Sequence, residues 1–138
     1  EFLALTVSLE ALGEKTGNQK ATVLARTLDE ATGKLLDNDK SPSPKTGQLD
    51  NRGSHFYLAM YWARALAEQS EDADLQAYFA PLAKTLADKE EQIIDELGSV
   101  QGEPVDIGGY FFADRDKTKA IMRPSVTFNE VLRAARIQ

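Results

Sequence analysis

Apolar positions recur at helical spacing along most of the chain. Phe2, Leu5, Leu9 and Leu12 form the first repeat, and Gly13 or Gly17 can end it. Asn18 can cap a second helix, whose apolar face reads Ala21, Leu24, Leu28, Ala31 and Leu35 and ends near Asp37-Asn38-Asp39. Pro42 and Pro44 then forbid regular helix, and Gly47 adds a turn position. A third helix is expected from Asp50 or Ser54, with Phe56, Met60, Ala63 and Leu66 as its stripe. Tyr57, Tyr61 and Trp62 widen that stripe, which predicts burial on more than one side. A fourth begins in Glu71-Asp72-Ala73-Asp74, where carboxylates complement the positive end of a helix. Its stripe is Leu75, Phe79, Leu82, Leu86, Ile93 and Leu97, and Pro81 inside it is expected to kink or split the helix. After Gly98 the period is lost. Residues 104–112 are β-prone and broken by Gly108-Gly109, and read as a short extended segment, a strand needing a partner being one reading. Asp114 or Asp116 can start a short helix to Met122. Pro124-Ser125 opens a last one, with Val126, Val131 and Leu132 apolar. The pattern predicts a mainly α fold with an irregular tail.

Composition narrows the class. A length of 138 residues suits one domain with a buried core, and 42% apolar with 28% charged residues is ordinary for a globular protein. The net charge of −6 argues against nucleic acid as a partner. Cysteine is absent, which excludes disulfides and thiolate metal sites and fits a reducing compartment. No apolar run approaches the roughly 18 residues that would cross a bilayer. Glu1-Phe2-Leu3-Ala4-Leu5 is already helix-patterned, without a methionine, a cap or the basic start of a signal peptide. Such an opening suggests a chain cut from something larger.

Candidate chemistry is sparse. Gly33-Lys34 lacks the upstream glycine and following Ser/Thr of a phosphate-binding loop. Asp37 and Asp39 begin like a calcium loop, but Pro42 stands where the sharp-turn glycine must be. Asp72 and Asp74, two apart on a helix, do not share a face and so do not make a magnesium site. His55, the only histidine, has no Ser/Asp arrangement at triad spacing and reads as a hydrogen-bonded structural group. Arg52 reads either as an anion ligand or as the ion-pair partner of Asp50. The stretch Lys40-Ser41-Pro42-Ser43-Pro44-Lys45 has the best claim to a ligand. Its prolines lower the ordering cost of presenting hydroxyls and ammonium groups; an exposed loop without a ligand is the competing reading.

Four stretches, taken together, resemble one family. They are Glu1-Phe2-Leu3-Ala4-Leu5; Lys40-Ser41-Pro42-Ser43 through Leu49-Asp50-Asn51-Arg52-Gly53-Ser54-His55-Phe56-Tyr57-Leu58; Val100-Gln101-Gly102 through Pro104-Val105-Asp106-Ile107-Gly108-Gly109-Tyr110; and Met122-Arg123-Pro124-Ser125 with Phe128-Asn129. They are similar to the C-terminal end of the monomeric-type NADP-dependent isocitrate dehydrogenases of bacteria, over the whole 138 residues.

The resemblance implies that residues 1–138 are a single fragment, the helical C-terminal part of the large domain of a two-domain, cytoplasmic α/β enzyme. That enzyme oxidises isocitrate to 2-oxoglutarate and carbon dioxide with NADP and magnesium or manganese. The family's substrate, metal and proton-transfer residues lie upstream, so the fragment is expected to bind no metal and to be inactive alone. Its partner is then the remainder of its own polypeptide, with isocitrate and NADP as ligands of the parent and neither nucleic acid nor membrane involved. Cut free, it is expected to self-associate through the wide stripe of the third helix and Tyr110-Phe111-Phe112. The family also implies one edge of the cofactor site here, with Lys45, Ser43 and Arg52 as candidate cofactor-binding residues. An arginine following Lys-Ser-Pro-Ser reaches the 2′-phosphate of NADP in the family pattern. Pro44 fills that slot in this chain. Either Lys45 covers the phosphate, or discrimination is poor and NAD is used as well. The competing readings are a stand-alone helical interaction module without activity and a related oxidoreductase domain with altered cofactor choice.

Overall fold

The computed structural model describes residues 1–135. The described residues form seven helices and no strand: α1 (Phe2–Thr16), α2 (Gln19–Asp37), α3 (Asn51–Glu68), α4 (Ala73–Asp88), α5 (Glu90–Gly98), α6 (Arg115–Met122) and α7 (Val126–Ala134). The mainly α expectation holds. Side chains named by the sequence pattern set several boundaries. Asn18 Oδ1 accepts from Ala21 N at 3.2 Å, Asp72 from Leu75 N at 2.9 Å, and Ser125 Oγ from Phe128 N at 2.9 Å. Of the alternatives left open, Asp50 rather than Ser54 caps α3, and Asp114 rather than Asp116 caps α6. Gly17 ends α1 in the left-handed conformation, with φ of 67°, where a side chain would be strained.

Gly13 lies inside α1 and is buried for a different reason. A Cβ there would stand 2.3 Å from Thr22 Oγ1, so its absence lets α1 approach α2. Helices α1 to α4 pack in sequence, each against the next, while α5 reaches both α3 and α7 and α7 also touches α4. The core is built on α3. Phe56, Tyr57, Met60, Tyr61 and Ala63 meet Leu28, Ala31 and Leu35 of α2, Leu86 of α4, Ile93 and Leu97 of α5, and Val131 of α7. Trp62 closes one flank by donating from Nε1 to Thr27 Oγ1 at 3.0 Å.

Four expectations need correction. The long fourth stripe does divide, but at Lys89 and not at Pro81, which lies within α4. Pro81 removes one helical hydrogen bond, and packing of Phe79, Leu82, Ala83 and Leu86 on the core offsets that cost. Residues 104–112 form no strand. Gly108 and Gly109 adopt φ of 82° and 144°, and Asp106 turns the chain by accepting from Gly108 N at 2.8 Å. The α1 stripe is half used: Phe2 and Leu9 pack on the core, while Leu5 and Leu12 stay exposed. Finally, the wide stripe of α3 is covered from within the chain, so the large exposed apolar groups lie elsewhere, among them Leu3 and Val7 of α1 and Tyr110-Phe111-Phe112.

Candidate functional site

The proline loop between α2 and α3 is fixed at both ends. Lys40 N donates to Leu35 O at 2.9 Å, and the Lys40 carbonyl accepts from buried Ser54 Oγ at 2.7 Å. Ser43 N donates to Leu49 O at 2.7 Å, which closes the loop on itself. Within it the Ser43 hydroxyl donates to Gln48 Oε1 at 2.5 Å and accepts from Lys45 N at 3.2 Å, and Gln48 N donates to Lys45 O at 3.2 Å. Ser43 and Lys45 are therefore held in one turn, with Lys45 and Pro44 exposed.

A side chain from the far end of the chain braces this turn. Gln101 Oε1 accepts from Gly47 N at 2.8 Å, and its Nε2 donates to Gln48 O at 3.0 Å and to Asp50 Oδ2 at 2.9 Å. Asp50 then caps α3 through Oδ1, which accepts from Arg52 N at 2.9 Å and Gly53 N at 3.3 Å. Burial pushes the Asp50 carboxyl up, but the bonds from Arg52, Gln101 and Gly53 outweigh it and hold the group below its usual range.

Arg52, the third candidate, is engaged with Asp50 and with α6. Its Nε and Nη2 donate to Asp50 Oδ2 at 3.0 and 2.5 Å, and its Nη1 donates to Ile121 O at 2.8 Å. The guanidinium thus ties the start of α3 to the end of α6. His55, whose Nδ1 lies 2.6 Å from Asn51 O and whose ring meets Phe2 edge-on at 5.1 Å, sits in structural contacts.

Beside the loop an open groove of about 610 Å³ is lined by Lys40, Gly47, Leu49, Tyr57, Ile94 and Gln101, among others. Lys40 Nζ stands 4.3 Å over the centroid of the Tyr57 ring. Burial, then the Glu90 carboxylate, pushes the Tyr57 phenol above its usual range. The arrangement is a rigid rim with exposed donors over a part-apolar floor. It offers no acid–base pair. Among the described residues no group of three or more His, Asp or Glu is placed to hold a metal.

Sequence reasoning missed Gln48 and Gln101, whose brace joins positions 53 residues apart and leaves no periodic signal. It also missed Glu96, which binds the start of α7. Its Oε2 accepts from Ser125 Oγ at 2.7 Å and Thr127 N at 3.0 Å, and its Oε1 from Thr127 Oγ1 at 2.7 Å and Gln92 Nε2 at 3.0 Å. Partial burial works to raise its pKa, but these donors dominate and hold it at about 2.

The described residues thus form a helical segment whose loop 40–49 is braced by Gln101 and Asp50. The comparisons say to which family it belongs. The family described as monomeric isocitrate dehydrogenase matches residues 1–133. The chain is 61% identical over 136 residues to "Isocitrate dehydrogenase [NADP] 2" of Mycobacterium tuberculosis, covering 99% of the chain. It is 60% identical over 132 residues, 96% of the chain, to "Isocitrate dehydrogenase [NADP]" of Azotobacter vinelandii, and 58% identical over 134 residues, 97% of the chain, to "Isocitrate dehydrogenase [NADP] 2" of Colwellia maris. The chain belongs to the monomeric isocitrate dehydrogenase family. It spans 18% of the length of these relatives. No helix among the described residues is long and apolar enough to cross a membrane.

Proposed function

We propose that these residues serve as the helical C-terminal part of a cytoplasmic, NADP-dependent isocitrate dehydrogenase, supplying scaffold and one edge of the cofactor site. The match over residues 1–133 to the family carries this reading, since the relatives are named for NADP. In such an enzyme NADP would supply a hydride acceptor and a divalent metal would supply charge stabilisation for the decarboxylation, both chiefly held by residues outside this segment. On this reading the metal and the substrate are held by residues upstream in the polypeptide.

At the cofactor edge the turn 43–48 presents Lys45 to the 2′-phosphate as a point charge. Pro44 contributes no donor, which weakens discrimination and opens the site to NAD. Ser43 holds the turn and does not reach the ligand through its proton, because Gln48 takes it. Arg52 acts through Asp50, keeping the rim in register, rather than on the phosphate.

The reading is tested by exchange. The 138-residue chain replaces the matched segment of the Mycobacterium tuberculosis relative, and both the chimera and the isolated chain are assayed with isocitrate, NADP and magnesium. Turnover by the chimera and none by the isolated chain is expected. Metal-dependent turnover by the isolated chain, or a chimera that folds and fails to bind NADP, overturns the reading.

A further inference from the structure

Three consecutive aromatic side chains, Tyr110, Phe111 and Phe112, are 90%, 88% and 93% exposed. Each would remove about 150–250 Å² of surface from water if buried. Single exposed apolar residues are ordinary, but a contiguous aromatic patch marks a contact surface. The segment that carries them is built rather than loose. Asp106 accepts from Gly108 N at 2.8 Å and pairs with Lys117 Nζ at 2.5 Å, while Asp114 N donates to Ile107 O at 2.7 Å. These bonds pinch the base of a loop at 107–114 and push the aromatics to its tip. Tyr110 and Phe111 also brace each other edge-on, with centroids 5.4 Å apart.

The chemistry of the tip restricts its occupant. Residues 107–113, Ile-Gly-Gly-Tyr-Phe-Phe-Ala, carry no charge, so phosphates and charged peptide faces gain nothing there. A second copy is disfavoured by membership of a family described as monomeric. The relatives are more than five times the length that this chain spans, so a complete family member has ample surface to receive the tip.

We propose that Tyr110-Phe111-Phe112 is an aromatic wedge that seats in an apolar pocket of the polypeptide that completes the enzyme. The proposal rests on the preceding reading that this segment works within a longer chain. Seating the wedge fixes the 107–114 loop and, through α6 and the bond from Arg52 to the Ile121 carbonyl, the start of α3 beside the cofactor edge.

Hydroxyl-radical footprinting of the isolated chain and of the chimera described above tests it. Tyr110, Phe111 and Phe112 are expected to oxidise rapidly in the dilute isolated chain and several-fold more slowly in the chimera, with no concentration dependence in the chimera. The triple variant Tyr110→Ala, Phe111→Ala, Phe112→Ala is expected to lower the urea midpoint of the chimera and leave that of the isolated chain unchanged. An active chimera with the three residues oxidised as fast as in the isolated chain overturns the wedge and leaves the family reading intact. Protection that appears in the chimera only as its concentration rises assigns a second copy and also overturns it. A chimera that folds and fails to bind NADP removes the reading on which the wedge rests.

Discussion

Replacing Glu96 tests the junction between α5 and α7. In Glu96→Ala the Ser125 and Thr127 hydroxyls and the Thr127 N–H lose their acceptor. Ser125 and Thr127 are 1% and 7% exposed, so neither recovers a full hydration shell. A buried donor left unmade costs ~1–3 kcal/mol, and hydrogen bonds to a charged acceptor lie at the upper end of the usual range. Glu96 itself is half-buried, and water entering its place recovers part of the loss. The net expectation is about 2–3 kcal/mol. Glu96→Gln keeps the shape but turns a donor toward Ser125 Oγ or Thr127 N, and is expected to cost about 1–2 kcal/mol. The sign of the pH dependence is fixed by the carboxyl. Its folded pKa of about 2 lies below the ordinary 4.5, so its contribution is complete above about pH 4.5 and is lost as pH falls through 2. Urea unfolding of the 138-residue chain and of both variants, read by circular dichroism between pH 2 and 7, measures this. The gap between parent and Glu96→Gln is expected to be flat above pH 4.5 and to close toward pH 2. A gap that does not change with pH, or a cost below about 0.5 kcal/mol for Glu96→Ala, refutes the reasoning.

Cofactor choice gives a second test, made in the chimera. Lys45→Ala is expected to lower kcat/KM for NADP roughly ten- to a hundred-fold and to leave NAD nearly unchanged, as for a lost hydrogen bond to a charged group. Pro44→Arg is expected to improve NADP selectively by adding a bidentate donor; equal effects on both cofactors in both variants would show that the loop does not read the 2′-phosphate. Gln69, 7% exposed, accepts from Glu71 N and Asp72 N, both at 2.8 Å, and donates to Asp72 O at 2.7 Å. Gln69→Leu should cost about 2–3 kcal/mol in urea unfolding by stranding these groups, and a loss below 0.5 kcal/mol would show that water replaces the amide.

The helices were legible because burial on one face imposes a 3.6-residue period, and the caps because Asn18, Asp114 and Ser125 are short side chains placed just before that period begins. The break at Lys89 was not legible. Pro81 carries the stronger local signal, and only tertiary packing reveals that its cost is met. Residues 104–112 misled for a related reason. β-Propensity describes fit to a neighbouring strand, and no such edge exists among the described residues. The α1 surface that faces α2 includes Thr6 and Gly13, which an apolar count passes over. At the loop, Ser43, Pro44 and Lys45 are singled out by turn chemistry and the family pattern, and the structure holds them in one turn. The side chain that braces them, Gln101, is an unremarkable glutamine until the fold brings it to Asp50. Arg52 had two readings in the sequence, and the geometry of its guanidinium follows the one with Asp50.

Asp50 carries a consequence for the order of folding. It joins three parts of the chain: the start of α3, Gln101 at a separation of 51 residues, and, through Arg52, Ile121 at a separation of 69. The hairpins α1–α2 and α3–α4 close over short connections, whereas these ties wait on large loops. The rim of the loop is therefore expected to assemble after the transition state and to be lost early in unfolding. Gln101→Ala, which removes only distant ties, should then speed unfolding and leave the refolding rate nearly unchanged, so the rim lasts as long as those ties and not as long as the helices beneath it.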